Sequence, residues 1–439
     1  MYSLSLILKG LHYLHHILSL RLHCMCVLLL ALFLQGCTRK DIYVSPSGDD
    51  VGDGTIAHPY QTLGKAISEI RPGETIWLRE GTYRPQESDI MGSALRGLYA
   101  CVYMLNANGS EFRPLTISAF ANEKVVIDLS NVKPENKRVS GFFISGDYWR
   151  LRKFDIVGIQ VTQTGHTQSE YISLTGSHCI IEQVNMHDGM GIGVYAKGGH
   201  DNLILNCDAY NNYDPVSENG KGGNCDGFGF HLPDSQCYGN MLRGCRAWRN
   251  SDDGFDLINS LAPVVIDSCW AWQNGYDSTL TRRADGAGFK AGGYGLRKMA
   301  VSPNAPINVI TNCIAWYNKN NGFYANHHLA GNHWQNNRAA ENACNFNMVN
   351  QKSYDDNVDV GGYDHVLCGN VSYNGRRNEY AMIDPSQCKV EGNTFMPDMD
   401  LNDSSFISLD SRLLWSKRKP CGSLPDIDFL KLRPDAENQ

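Results

Sequence analysis

The sequence is poor in charge: of 439 residues only 19% are Asp, Glu, Lys or Arg, 46 acidic against 39 basic, for a formal net charge of −7. It has no extended basic run, which argues against nucleic acid as a partner and against unaided capture of a polyanion. An acidic ligand therefore needs a bound cation here. The fifteen cysteines are too sparse for a disulfide scaffold and lack the C-x-x-C spacing of a zinc site. With 42% hydrophobic residues and this length, the chain can bury a sizeable core, which excludes disorder for most of it.

Residues 1–37 are apolar and end in Leu34-Gln35-Gly36-Cys37. The run is too short for a spanning helix with normal flanks and reads as an export signal. Its last four residues resemble a bacterial lipobox, with Cys37 as the lipidated first residue of the mature chain. The expectation is an exported protein, lipid-anchored at the cell surface or in the periplasm and touching the membrane only through that lipid, with a single-pass anchor as the alternative.

The middle of the chain repeats one motif: Asn206-Cys-Asp-Ala-Tyr-Asn-Asn212, Gly244-Cys-Arg-Ala-Trp-Arg-Asn250, Ser268-Cys-Trp-Ala-Trp-Gln-Asn274 and Asn312-Cys-Ile-Ala-Trp-Tyr-Asn318, with weaker copies from Gln183, Asn337 and Asn370. Successive copies lie about 24, 38, 24, 44, 24 and 33 residues apart, the range of a solenoid. The short spacing is a bare coil, and the longer ones carry loop insertions on one face. A second ladder runs between the copies: Gly227-Phe-Gly229, Gly254-Phe-Asp256, Gly288-Phe-Lys290 and Gly322-Phe-Tyr324, with Asn345-Phe-Asn347 as a degenerate member. Short apolar alternations with abundant Gly and Asn predict an all-β parallel β-helix over residues 41–383. Alternation puts each Phe inside and the following residue outside, so Asp256 and Lys290 should be neighbours on one outer face.

Cys207, Cys245, Cys269 and Cys313 read as small buried residues, Cys225 and Cys237 as a disulfide candidate, and the recurrent asparagines as turn and ladder residues. Trp248, Trp272 and Trp316 read as packing within the repeat. Gln61–Ile70 reads as an amphipathic helix, with Leu63, Ala66, Ile67 and Ile70 on one face, that plugs the first coil. Residues 384–439 read as a loop-rich cover.

Three blocks converge on the outer face: Cys225-Asp226-Gly-Phe-Gly-Phe-His231, Asn250-Ser-Asp252-Asp253-Gly-Phe-Asp256 and Gly286-Ala-Gly-Phe-Lys290. Asp226, Asp252, Asp253 and Asp256 form an oxygen-rich cluster of the kind Ca²⁺ takes. Any one of them alone is an ordinary turn residue. Lys290 adjoins the cluster, where a bound cation would lower its pKa and let it accept a proton. Tyr324, Asn326 and His327 are expected on the same strand face one coil further on, and Arg282 and Arg283 in the preceding insertion could clamp a second carboxylate.

These blocks, with Ala262-Pro-Val-Val-Ile266 and Asn274-Gly-Tyr-Asp277, resemble polysaccharide lyase family 9, extracellular right-handed parallel β-helix enzymes that cleave pectic polymers. The resemblance spans about residues 41–432. It implies calcium ligands at Asp226, Asp252, Asp253 and Asp256, a catalytic base at Lys290 and an acidic pectic polysaccharide as substrate for a monomer. Asn321-Gly-Phe-Tyr-Ala-Asn-His-His328 looks more like the rhamnogalacturonan-cleaving members than the pectate-cleaving ones. Two other readings stay open: a pectic glycoside hydrolase using paired aspartates, and a non-catalytic glycan-binding solenoid.

Overall fold

Short apolar strands separated by left-handed turn residues cannot bury themselves alone, and here they stack coil on coil. A computed structural model describes residues 41–293, 305–353, 356–397 and 399–437. Cys37 and the export segment lie outside the described residues. Among the described residues, three long sheets of twelve, ten and eleven strands run the length of the stack. Pairing within them is parallel except for one antiparallel edge strand, Gly92–Ala94. This is the expected β-helix.

Strand β1 (Ile42–Val44) starts the twelve-stranded sheet. Helix α1 (Leu63–Glu69) follows, its first turn closed by Thr62, whose Oγ1 accepts from the Lys65 N–H. It buries Leu63, Ala66 and Ile67 in the main core, as a terminal cap must.

Five strands of the eleven-stranded sheet carry the second ladder: β3 (Phe228–Phe230), β4 (Phe255–Asp256), β5 (Phe289–Lys290), β6 (Asn321–Tyr324) and β7 (Cys344–Asn347), preceded by β2 (Gly191–Ala196). Phe228, Phe255, Phe289, Phe323 and Phe346 stack inside, fully buried, with centroids 5.0, 4.7, 4.9 and 4.9 Å apart. Outside them, Tyr195, Gly229, Asp256, Lys290, Tyr324 and Asn347 form one continuous row.

Two columns of polar atoms fasten the coils. Buried Asn212, Asn250, Asn274 and Asn318 each donate from Nδ2 to the next Oδ1, ending at Asn342, at 2.9 to 3.1 Å. The residue before each ladder Asn is left-handed: Asn211, Arg249, Gln273, Tyr317 and Glu341. The four stacked cysteines are buried free thiols, and two of them also accept backbone N–H: Cys245 N donates to Cys269 Sγ at 3.3 Å and Cys269 N to Cys313 Sγ at 3.4 Å. Asn337, Asn370 and Asn393 continue that column.

Two expectations need correction, the disulfide and the end of the stack. Cys225 and Cys237 are free thiols; β3 runs between them, so they sit at opposite ends of a strand, where no disulfide can close. The repeated tryptophans are core residues, as expected, but of a second core: they lie outside the coil, while Ala247, Ala271 and Ala315 fill the inside. Trp248 and Trp272 stack at 4.7 Å, and residues of the C-terminal cover, among them Leu414 and Phe429, close over them in a second core. Arg246 and the cover's Arg418 both pair with buried Asp208, which ties the cover down. The stack also runs past residue 383, because Lys389–Glu391 still pairs with Val366–Cys368.

Candidate active site

The outer row of the eleven-stranded sheet becomes acidic at β4 because the turns before β3 and β4 supply Asp226, Asp252 and Asp253 and the strand itself supplies Asp256. Asp226, Asp253 and Asp256 are buried and offer ligand oxygens that all lie within 4.8 Å of one another. Backbone N–H groups hold them in place. Asp226 Oδ1 accepts from Asp253 N at 3.0 Å, Asp253 Oδ1 from Ala287 N at 2.6 Å and Asp256 Oδ1 from Ile258 N at 2.8 Å. In Asp253 and Asp256 the other oxygen is left to face the cluster.

Lys290 enters from the next coil, opposite Asp256 in the register. Its Nζ lies 3.0 Å from Asp253 Oδ2 and 3.2 Å from Asp256 Oδ2, with the side chain 12% exposed. Burial alone would lower its pKa, but Asp253, Asp256, Asp252 and Asp226 outweigh burial and hold the ammonium well above its ordinary value. Burial, with Asp252, Asp256 and Asp253, pushes the Asp226 carboxyl well up. Burial pushes Asp256 up too, yet Lys290 and His231 prevail and hold it below the usual carboxylate range. One ammonium thus faces a surplus of buried carboxylates.

Asp252 stands apart from the three. It is half-buried, and its oxygens accept from Asn224 N at 2.8 Å and Asp285 N at 3.1 Å. It lines an adjoining groove of about 510 Å³ together with Arg282, Arg283, Asp285 and Lys319. Arg283 is engaged there: it grips Asp277 at 2.6 and 2.9 Å and lies 4.2 Å over the Tyr213 ring. Arg282 is exposed.

Tyr324 sits beside Lys290 in the outer row, as expected. Asn326 and His327 do not share its strand face. β6 ends at Tyr324, and both residues are left-handed, with φ of 54° and 60°, in the turn that follows it. Asn326 Nδ2 donates to Gly292 O, and His327 Nε2 lies 3.0 Å from Asp359.

Two features escaped the sequence reading. Tyr195 OH meets His231 Nδ1 at 2.8 Å, and His231 Nε2, buried without a hydrogen-bond partner, points to Asp256 Oδ2 at 3.7 Å. The Tyr195 ring lies over Gly229, where a Cβ would come within 2.8 Å of it. That close approach accounts for glycine at the one outer-row position between Tyr195 and Asp256. Further along, buried Glu170 takes both oxygens to Lys197 Nζ, at 2.8 and 2.9 Å, and also bonds Tyr99. A lone Glu inside Ser169–Leu174, a strand buried throughout, was the available signal.

The family described as Pel9A-like, right-handed β-helix region, matches residues 42–361. Pectate lyase L of Dickeya chrysanthemi is 32% identical over 405 residues, 91% of this chain and 85% of that protein. A solved rhamnogalacturonan lyase is 40% identical with a TM-score of 0.86, covering 91% of this chain and 98% of that one. The crystal structure of pectate lyase Pel9A is 28% identical with a TM-score of 0.69, covering 91% of each chain. On its own coils and on these matches, the chain belongs to the Pel9A-like right-handed β-helix family and is a polysaccharide lyase.

Proposed function

We propose that the protein cleaves a galacturonate-containing pectic polymer, rhamnogalacturonan I, by calcium-dependent β-elimination with Lys290 as the base. The observation that carries this reading is the position of Lys290 Nζ, in the outer row of the eleven-stranded sheet and against two buried carboxylates.

The residues fit a hard divalent cation. All donors are oxygens, three are buried within 4.8 Å of one another, and a single ammonium leaves them under-neutralised. Asp226, Asp252, Asp253 and Asp256 would hold calcium, which supplies the positive charge that neutralises the uronate carboxylate and makes the C5 proton more acidic. Lys290, released from Asp253 and Asp256 and deprotonated, takes the C5 proton. The electrons of that C–H bond form the C4–C5 double bond as the oxygen at C4 departs and is protonated. The products are a 4,5-unsaturated uronide and a new free sugar end. Tyr324, next to Lys290, Arg282, on the groove rim, and Asn326 and His327, in the turn after Tyr324, contact the polymer, while Arg283 shapes the groove wall.

The rhamnogalacturonan reading is supported by the match to the solved rhamnogalacturonan lyase, higher in identity and TM-score than that to Pel9A. A polygalacturonate substrate with the same mechanism is the second reading, favoured by the name of the Dickeya relative. Mass spectrometry of the products tests the reaction class: elimination products are one water lighter than hydrolysis products, and hydrated fragments would refute it. The enzyme acts as an exported monomer carrying a lipid on Cys37. Loss of radiolabelled fatty acid in Cys37→Ser would support that anchor, and equal labelling would refute it.

A further inference from the structure

Away from the groove, two columns of turn residues run along the corner where the eleven-stranded sheet passes into the twelve-stranded one. Tyr148, His178, Asp201 and Gly239 are left-handed, with φ of 59°, 57°, 54° and 72°. The residues just before the last three of them, Ser177, His200 and Tyr238, form the second column. Their carbonyls accept from the coil below: Tyr148 N to Ser177 O at 3.0 Å, His178 N to His200 O at 2.9 Å and Asp201 N to Tyr238 O at 2.9 Å. This regular stacking brings His178 of one coil against His200 and Asp201 of the next.

Each of these three side chains offers one ligand atom, and the three atoms lie within 4.8 Å of one another. The imidazole rings are 4.8 Å apart and inclined at 83°, splayed as two rings around a tetrahedral ion are. Tyr148 stacks on His178 at 4.6 Å and Tyr238 on His200 at 5.2 Å, so a ring brackets each imidazole. Asp201 Oδ2 lies 2.9 Å from His200 Nδ1, so one ion can reach both atoms. Asp201 reaches this position only because residue 239 is glycine: a Cβ there would lie 2.0 Å from Asp201 Oδ1.

The geometry points to a site for a divalent transition ion, zinc foremost, at His178, His200 and Asp201, with water completing the coordination. Two imidazole nitrogens and one carboxylate suit zinc, copper or nickel, whereas calcium takes oxygen donors. Stacking alone would account for the four rings but not for Asp201 or for the glycine that admits it. His200 and Asp201 are 36% and 39% exposed, which leaves the site open to solution. Their side chains can rotate to bring the donors from 4.8 Å to the roughly 3.3 Å implied by Zn–N bonds of about 2.0–2.1 Å. A bound ion would clip one coil to the next and stabilise the fold without entering the lyase chemistry.

The test uses the whole protein saturated with calcium, so that the acidic cluster is occupied, titrated with Zn²⁺ by calorimetry and by thermal unfolding. The expected result is one zinc per chain and a raised Tm, with affinity reduced at least tenfold in His178→Ala and in His200→Ala and about tenfold or more in Asp201→Asn. Circular dichroism checks that each variant is folded, and His178→Gln replaces any that is not. Cobalt supplies a second readout, a d–d absorption band present in the wild type and lost in the histidine variants. Absence of zinc binding in the wild type would overturn the proposal, and so would equal binding in the histidine variants.

Discussion

Lys290 Nζ and Asp253 Oδ2 lie 3.0 Å apart across two neighbouring coils, and the same ammonium reaches Asp256 at 3.2 Å. Without a divalent cation the lysine is the acidic cluster's own counter-ion, held protonated and therefore unable to act as a base. In the proposed mechanism, metal and lysine compete for the same carboxylates, and a metal that wins also frees the base.

The pH dependence follows from that competition. The carboxylates raise the Lys290 pKa against the pull of burial, so chelated enzyme should be inactive across the ordinary pH range. With calcium, kcat/KM should rise with pH, about tenfold per unit, until the lysine is neutral. Initial rates at several pH values, with calcium and with chelator, check this. A flat profile between neutral and alkaline pH would contradict it.

Asp226 separates stability from function. Burial and the neighbouring carboxylates push its pKa up, so its charge opposes folding when no cation is present. Asp226→Asn should raise the Tm of chelated protein above wild type and also shrink the Tm gain on adding calcium. Thermal unfolding with and without calcium measures both; an unchanged calcium response would remove Asp226 from the ligand set.

The repeat and the phenylalanine ladder were readable because stacked coils repeat the same physical demand at each rung. A buried Phe followed by an outward residue recurs, and the registry of Asp256 with Lys290 came directly from that alternation. The corners were less legible. Asn326 and His327 were extrapolated along a strand that ends at Tyr324, because nothing in the sequence marks where left-handed φ begins when the residues are not glycine. That the tryptophans pack in a core is legible from the repeat, but that this core lies outside the coil depends on the C-terminal cover, far downstream in the sequence. Glu170 and Lys197 pair between neighbouring coils, from a strand buried throughout to the residue just after the next strand, which local patterning does not register.

The asparagine ladder should carry much of the stability. Asn274 accepts from Asn250 and donates to Ala247 O and Asn318 Oδ1 while fully buried. Asn274→Ala leaves several of those groups unpaired, at about 1–3 kcal/mol each. Urea denaturation should show a loss of at least 2 kcal/mol, on the order of one such group or more. A loss under about 0.5 kcal/mol, typical of a neutral surface change, would mean that water or neighbouring amides replace the ladder.

Two buried histidines give the fold a pH limit. Burial lowers His328 to about 4 and His365 to about 3. Above about pH 6.5 neither the folded nor the unfolded chain binds protons at these rings, and stability is flat. As the pH falls below that, the unfolded chain takes up protons the folded chain refuses, so stability drops by about 1.4 kcal/mol per pH unit for each ring. The loss stops only below the folded values. His365 Nδ1 accepts from Asn332 N at 2.9 Å, extending the Asn308–Asn332 pair. His365→Asn should keep that contact and reduce the slope between pH 6.5 and 4.5 by about half. Urea melts across that range check it, and an unchanged slope would assign the pH dependence elsewhere.

The central claim, elimination by Lys290 supported by a bound cation, is tested most directly by ultraviolet absorbance of unsaturated uronide. Wild type and Lys290→Ala are compared on rhamnogalacturonan I backbone and on polygalacturonate, each with calcium and with chelator. The account predicts signal on rhamnogalacturonan I that requires calcium and falls at least about 100-fold in Lys290→Ala. Signal that survives chelation or the loss of Lys290 would contradict it, as would polymer cleavage without any unsaturated product.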